Sequence, residues 1–153
     1  MMSGPRHAAV ALVLASIFAA APALAQSDQP EDVVRALYAE PSTMMDADHA
    51  RSYFSTDLAG AMRVRKIAPA SFDFRYGAED MRVSDVQLVA DIDHDQARVV
   101  AVFKNYGRAN SVDWTLCRRP DGDWRIVDAS SNTGPQPWDL RQLMALPAQN
   151  ARC

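Results

Sequence analysis

Histidine is scarce in this chain: three occur in 153 residues, and only His49 and His94 lie beyond residue 25. There is no glycine-rich phosphate loop, no nucleophile elbow, no Cys-x-x-Cys and no His-Glu-x-x-His. The common signatures of nucleotide, hydrolase, thiol-redox and zinc-protease chemistry are therefore missing. Basic residues are outnumbered, 16 Lys and Arg against 19 Asp and Glu. No basic stripe is present to neutralise phosphates, so nucleic acid is not an expected partner. Arg63, Arg65 and Lys66 form one local cluster, which reads as a solvated helix end. The apolar run Ala8 to Ala21 has 14 residues, fewer than the roughly 20 needed to span a bilayer as a helix.

That run reads instead as the core of a signal peptide. Arg6 and His7 precede it, and Pro22 and Ala23-Leu24-Ala25 follow, a small-x-small cleavage pattern before Gln26. A retained N-terminal anchor is the alternative. No cysteine lies beside the cut, which argues against a lipoprotein. Cleavage after Ala25 removes Arg6 and no acid, taking the net charge from −3 to −4. What remains, residues 26–153, is the length of one ordinary domain. The expected location is periplasmic or secreted, with no integral membrane segment after cleavage. No cofactor is implied.

Cys117 and Cys153 are the two cysteines. In an oxidising compartment such a pair reads first as a disulfide. It would close a loop of roughly 40 residues, contributing roughly 3–4 kcal/mol by chain entropy. A free Cys153 at a frayed end, or an intermolecular bridge, are the other possibilities.

From Arg82 to Asp128 the pattern is that of antiparallel strands. Val99 to Phe103 is rich in β-branched and aromatic residues. Val112, Trp114 and Leu116 alternate with Asp113, Thr115 and Cys117, and Trp124 and Ile126 continue the alternation. Turns are expected at Asp91–Gln96, Asn105–Asn110 and Pro120–Asp123, where Asp, Asn, Gly and Pro supply the backbone freedom or restriction a turn needs. Loops this short force antiparallel neighbours and hence a meander. On the parity of this pattern Asp128 faces the covered side with Trp124 and Ile126. Asp113 and Arg125 then form a cross-strand ion pair on the other side.

Helices flank the meander. Asp28 reads as an N-cap ahead of Pro30, with Glu31 and Asp32 in the first turn, and Val33, Val34, Leu37 and Tyr38 share a face. A second helix is expected from Asp46 or Asp48 to Arg65, burying Ala50, Tyr53, Phe54, Leu58, Ala61 and Met62. Pro69 to Gly77 reads as irregular or a short strand. Trp138 to Leu146 reads as a closing helix that Pro147 stops, with Trp138, Leu140, Leu143 and Leu146 inward.

Asp91-Ile92-Asp93-His94-Asp95 has the carboxylate density of half a calcium loop. Gln96 and Val102 stand where such a loop needs glycine and glutamate, so a solvated turn is the better reading and no metal is expected. Asp128, if buried, could acquire a raised pKa and act as a base, or it could pair with an arginine or cap the next loop.

Phe72-Asp73-Phe74 through Asp85, including Gly77-Ala78-Glu79-Asp80-Met81-Arg82-Val83, and Gly122-Asp123-Trp124-Arg125-Ile126-Val127-Asp128 resemble a group of small secreted bacterial proteins. That group is known as a domain of unknown function near the nuclear-transport-factor-2-like, cone-shaped α+β fold. Glu79 stands where the group prefers Gln. The resemblance covers most of residues 26–153 and implies a curved sheet with helices across its concave face. It supplies no catalytic residues, and fold alone assigns no function.

Together these readings give an α+β domain that binds a small apolar ligand or peptide. Tyr53, Phe54, Tyr76, Trp114 and Trp124 are the candidate lining, with Asp128 as the polar group. A surface that binds an envelope protein, as an inhibitor or immunity factor does, is the second reading, carried by Asp91–Gln96 or Tyr106–Asn110. A small isomerase with Asp128 as base and Tyr53 or Tyr76 as donor is the third.

Overall fold

A computed structural model describes residues 28–43, 46–64, 72–134, 136–148 and 153. The segment read as a signal peptide, Arg65, Lys66 and residues 69–71 lie outside the described residues. The chain is α+β, with a five-stranded antiparallel sheet and short helices. No helix among the described residues is long and apolar enough to cross a membrane.

The sheet is a meander in chain order: β1 (Val83–Asp93), β2 (Gln96–Asn105), β3 (Arg108–Arg118), β4 (Trp124–Ser131) and β5 (Trp138–Asp139). Its hairpins are tighter than the sequence suggests. Asp91 and Asp93 are strand residues paired with Arg98 and Gln96, leaving His94-Asp95 as the turn. Asn105 pairs with Arg108, so the next turn is only Tyr106-Gly107. Both of those residues have positive φ, 50° and 75°, the mirror-image turn whose twist matches the flanking strands.

One face of the sheet is the core. Ala97, Val99, Ala101 and Phe103 of β2, and Val112, Trp114 and Leu116 of β3, are all buried. Trp124 and Ile126 of β4 join them, as alternation predicts. A bulge then changes the parity. Leu116 faces Ile126, but Thr115 faces Asp128, so Val127 is an extra residue in β4. Beyond it Ala129, opposite Trp114, takes the inward place, and Asp128 sits across from exposed Thr115. The expectation that Asp128 shares the face of Trp124 and Ile126 is thus overturned by a single inserted residue. The Asp113–Arg125 pair also fails, because Arg125 sits opposite Cys117. Asp113 instead binds Arg98 at 2.5 Å, and Arg125 binds Asp123 at 3.0 Å.

Helix α1 (Pro30–Ala39) crosses the covered face with Val34 and Leu37 fully buried. Its N-cap is Gln29 rather than Asp28. The Asp28 carbonyl instead accepts the indole N–H of Trp124 at 3.2 Å, tying the start of the helix to β4.

The expected long second helix is two, α2 (Ala47–Tyr53) and α3 (Thr56–Val64). The break at Phe54-Ser55 exists because that backbone serves the sheet. Phe54 bridges Ile126 in parallel, and the Ser55 N–H donates to the Ile126 carbonyl at 2.8 Å. The next carbonyl, that of the bulge residue Val127, accepts Arg141 Nη1 at 3.1 Å. Further along, Ser130 and Ser131 pair with β5. The outer edge of β4 is therefore sealed in turn by a helix break, a buried arginine and a two-residue strand. Sealing matters because an unpaired buried carbonyl costs about 1–3 kcal/mol.

The closing helix is also shorter than expected. Trp138 and Asp139 are strand, and α4 is Leu140–Leu143, capped by the Asp139 carboxylate on Gln142 N at 2.8 Å. Leu140 and Met144 fill the core, with Trp138 and Leu146 packed against it. Cys117 is disulfide-bonded to Cys153, with Cα atoms 5.6 Å apart.

Residues 73–78 form a tight turn closed by Asp73 N to Ala78 O at 2.8 Å. Phe72, Phe74 and Tyr76 alternate in the sequence with Asp73 and Arg75, but the charges do not take an outer face. Instead Asp73 and Arg75 are buried beside Phe74. Gly77 has φ +61°, and a Cβ there would lie 2.5 Å from Trp138 Nε1, so the turn packs flush on that indole.

Candidate functional site

Arg75 explains why a charged turn is buried. Its guanidinium holds Asp73 through Nη2 at 2.6 Å and Nε at 3.0 Å, and Nη1 reaches the carbonyls of Leu37, at 3.4 Å, and Glu40. A cation on the last carbonyls of α1 is favourable electrostatically as well as by hydrogen bonding. The Tyr38 hydroxyl donates to the Arg75 carbonyl, so the end of α1 and the 73–78 turn are locked to each other. Burial raises the Tyr38 phenol above its ordinary value, so it stays protonated and a donor.

This lock sets two tyrosine rings edge to face, Tyr38 and Tyr76, with centroids 5.2 Å apart. Phe103 backs Tyr76 at 5.5 Å and Trp114 backs Tyr38 at 5.9 Å. Beside them, β1 carries an irregularity between Ser84 and Gln87, where Asp85 has φ 59°. Between the C-terminal half of α1 and this part of β1 lies a groove of about 650 Å³, lined by Arg35, Tyr38, Ala39, Tyr76, Val86, Gln87 and Leu88. Its volume is in the range of small-molecule sites, about 300–1,000 Å³. Arg35 is an exposed cation paired with Asp32 at 2.6 Å, a surface pair that a ligand could compete with.

Of the residues anticipated from sequence, Tyr76 lines this groove. Tyr53, Phe54, Trp114 and Trp124 are 3%, 1%, 0% and 2% exposed, packed in the core and forming its walls rather than an accessible surface. The Tyr53 hydroxyl donates to Glu40 Oε1 at 2.5 Å, and His49 Nε2 lies 2.8 Å from the same oxygen. Asp128 belongs elsewhere, beyond the bulge. Arg35, Tyr38, Ala39, Val86, Gln87 and Leu88 were not singled out by the sequence. Tyr38 was on the predicted buried face of α1, but nothing local marks an irregularity in β1.

Asp128 has its own environment. Its Oδ1 accepts Ala129 N at 2.8 Å and Arg141 N at 3.2 Å. Partial burial, followed by the adjacent Asp139 carboxylate, pushes its pKa up to about 6. The Tyr53 hydroxyl is engaged by Glu40, and the Tyr76 ring packs on Phe103 of β2. The consequence is for stability. A carboxyl whose folded pKa exceeds the unfolded value favours folding most at low pH, and the benefit is lost as pH rises through about 6. Asp128→Asn keeps the two accepted bonds and removes the charge. It is expected to match the parent near pH 4 and to exceed it by about 1–2 kcal/mol at pH 8, after allowance for solvent screening. Urea midpoints at the two pH values measure this.

Arg141 completes the neighbourhood. Its side chain is 4% exposed and binds Asp57 at 2.7 Å and the Pro147 carbonyl at 2.8 Å, besides Val127. Partial burial opposes the Asp57 charge, but bonds from Arg141 and Ser55 outweigh it and hold that carboxyl below its usual range. This is a clamp on α3, β4 and the C-terminal segment.

Fold and site thus define an α+β domain with a groove between its first helix and its first strand. No family model, curated protein or solved structure matches the chain.

Proposed function

We propose that this protein is a periplasmic or secreted domain that binds a small apolar ligand or peptide, without catalysis, in the groove between α1 and β1. The observation that carries this reading is the groove itself, floored by the Tyr38–Tyr76 edge-to-face pair. Flat aromatic walls, aliphatic Val86 and Leu88 and two polar groups, Arg35 and Gln87, suit an apolar body with one polar end. The arrangement of helices before a covered antiparallel meander supports a nuclear-transport-factor-2-like, cone-shaped fold. The disulfide supports an oxidising compartment, in keeping with a signal peptide cut after Ala25.

The test is titration with N-phenyl-1-naphthylamine, an uncharged aromatic probe. The parent is expected to show saturable fluorescence enhancement. Ala39→Trp fills the groove from the exposed end of α1 and is expected to weaken binding about tenfold or more, equivalent to about 1.4 kcal/mol. Absence of saturable binding to the parent contradicts the proposal.

A further inference from the structure

The first strand has one neighbour, β2, and among the described residues no strand pairs with its other edge. Such an edge presents a row of unpaired N–H and C=O groups. Natural edges are commonly blunted by proline or lysine, and Val83–Asp93 contains neither. Three of its apolar side chains are exposed: Val86 at 42%, Val89 at 61% and Ile92 at 47%.

The sequence of this edge has two-fold character. Val86-Gln87-Leu88-Val89-Ala90-Asp91-Ile92 is apolar, polar, apolar, apolar, apolar, polar, apolar, the same pattern in both directions. The centre is Val89, the most exposed of the three. From Gln87 to Asp93 the strand keeps an unbroken register with β2, so its free edge is regular over the same span. A two-fold dimer interface places the same patch of both copies in contact and requires that patch to complement itself.

We infer that two copies of this chain associate through antiparallel pairing of β1 with β1 about Val89, giving one continuous ten-stranded sheet. Val89 then opposes itself, Leu88 opposes Ala90, and the Gln87 amide faces the Asp91 carboxylate, while Val86, inside the irregularity, comes near Ile92 at the end of the regular span. No like charges meet within these seven residues. At the ends Asp85 and Asp93 come together, but each already has a basic partner of its own chain, the Lys104 ammonium at 3.0 Å and the His94 imidazole at 2.6 Å. The inference does not rest on what the groove binds, although Val86, Gln87 and Leu88 belong to both the groove and this edge.

Sedimentation velocity on the protein exported to a bacterial periplasm tests it. The parent is expected to shift from monomer to dimer as concentration rises. Val89→Lys and Val89→Glu each place like charges at the two-fold and are expected to weaken the dimer about tenfold or more, and mixing the two variants is expected to restore it. Because Val89 is exposed, neither substitution disturbs the core, and circular dichroism is expected to be unchanged. Three results overturn the inference. One is a parent that stays monomeric at every concentration, whether or not β1 takes up an added peptide. The second is a dimer indifferent to both substitutions. The third is a pair of variants that fail to recover on mixing.

Discussion

Arg75→Met is expected to lower the unfolding free energy by about 3–5 kcal/mol, the loss seen when one partner of a buried ion pair is removed. The reason is the Asp73 carboxylate. The Asp73 and Arg75 side chains are 9% and 6% exposed, so methionine leaves a charge with little access to water. The same change uncaps the Leu37 and Glu40 carbonyls at the end of α1. Arg75→Lys is expected to recover less than half of the loss, since an ammonium cannot span two carboxylate oxygens and two carbonyls at once. Asp73→Asn combined with Arg75→Met is expected to be more stable than Arg75→Met alone, because no unpaired charge remains. Urea unfolding under non-reducing conditions measures all three. If Arg75→Met unfolds within about 0.5 kcal/mol of the parent, as a surface substitution does, the lock between α1 and the turn is not structural.

The second large effect belongs to the disulfide. Cys117 and Cys153 are 36 residues apart in sequence, a loop for which chain entropy gives about 3–4 kcal/mol. Replacing both by alanine is expected to cost that amount. Cys117 is buried, so alanine is a better choice than serine, which would add an unpaired hydroxyl. The double variant is read against the parent in the oxidised state, and adding a reductant to the parent is expected to reproduce it. A loss below about 1 kcal/mol would mean that the Arg141 clamp, not the disulfide, holds the C-terminal segment.

The sequence made the covered face of the meander legible, because Val112, Trp114 and Leu116 alternate without interruption and their neighbours in β2 do the same. It also showed the buried face of α1 and the cysteine pair. What it hid shares one cause: features decided by long-range pairing leave no local mark. The α2–α3 break follows from a hydrogen bond to Ile126, more than 70 residues away. The Val127 bulge alters no composition, yet it moves Asp128 from the face of Trp124 to the face of Thr115. The buried charges of the 73–78 turn run against the aromatic alternation, because Arg75 finds its carbonyls on a distant helix. Four of the five aromatic residues expected to line a site, Tyr53, Phe54, Trp114 and Trp124, are core for the same reason they looked like lining, being large and apolar. The groove instead uses an irregular strand edge and a helix end.

Native mass spectrometry of the protein, exported to a periplasm and purified without reductant, tests the central claim most directly. The account predicts a polypeptide carrying an additional small mass that leaves on denaturation, and that is missing from Ala39→Trp purified in the same way. A bare parent that also fails to take up N-phenyl-1-naphthylamine would contradict it, and the groove would then be surface relief rather than a binding site.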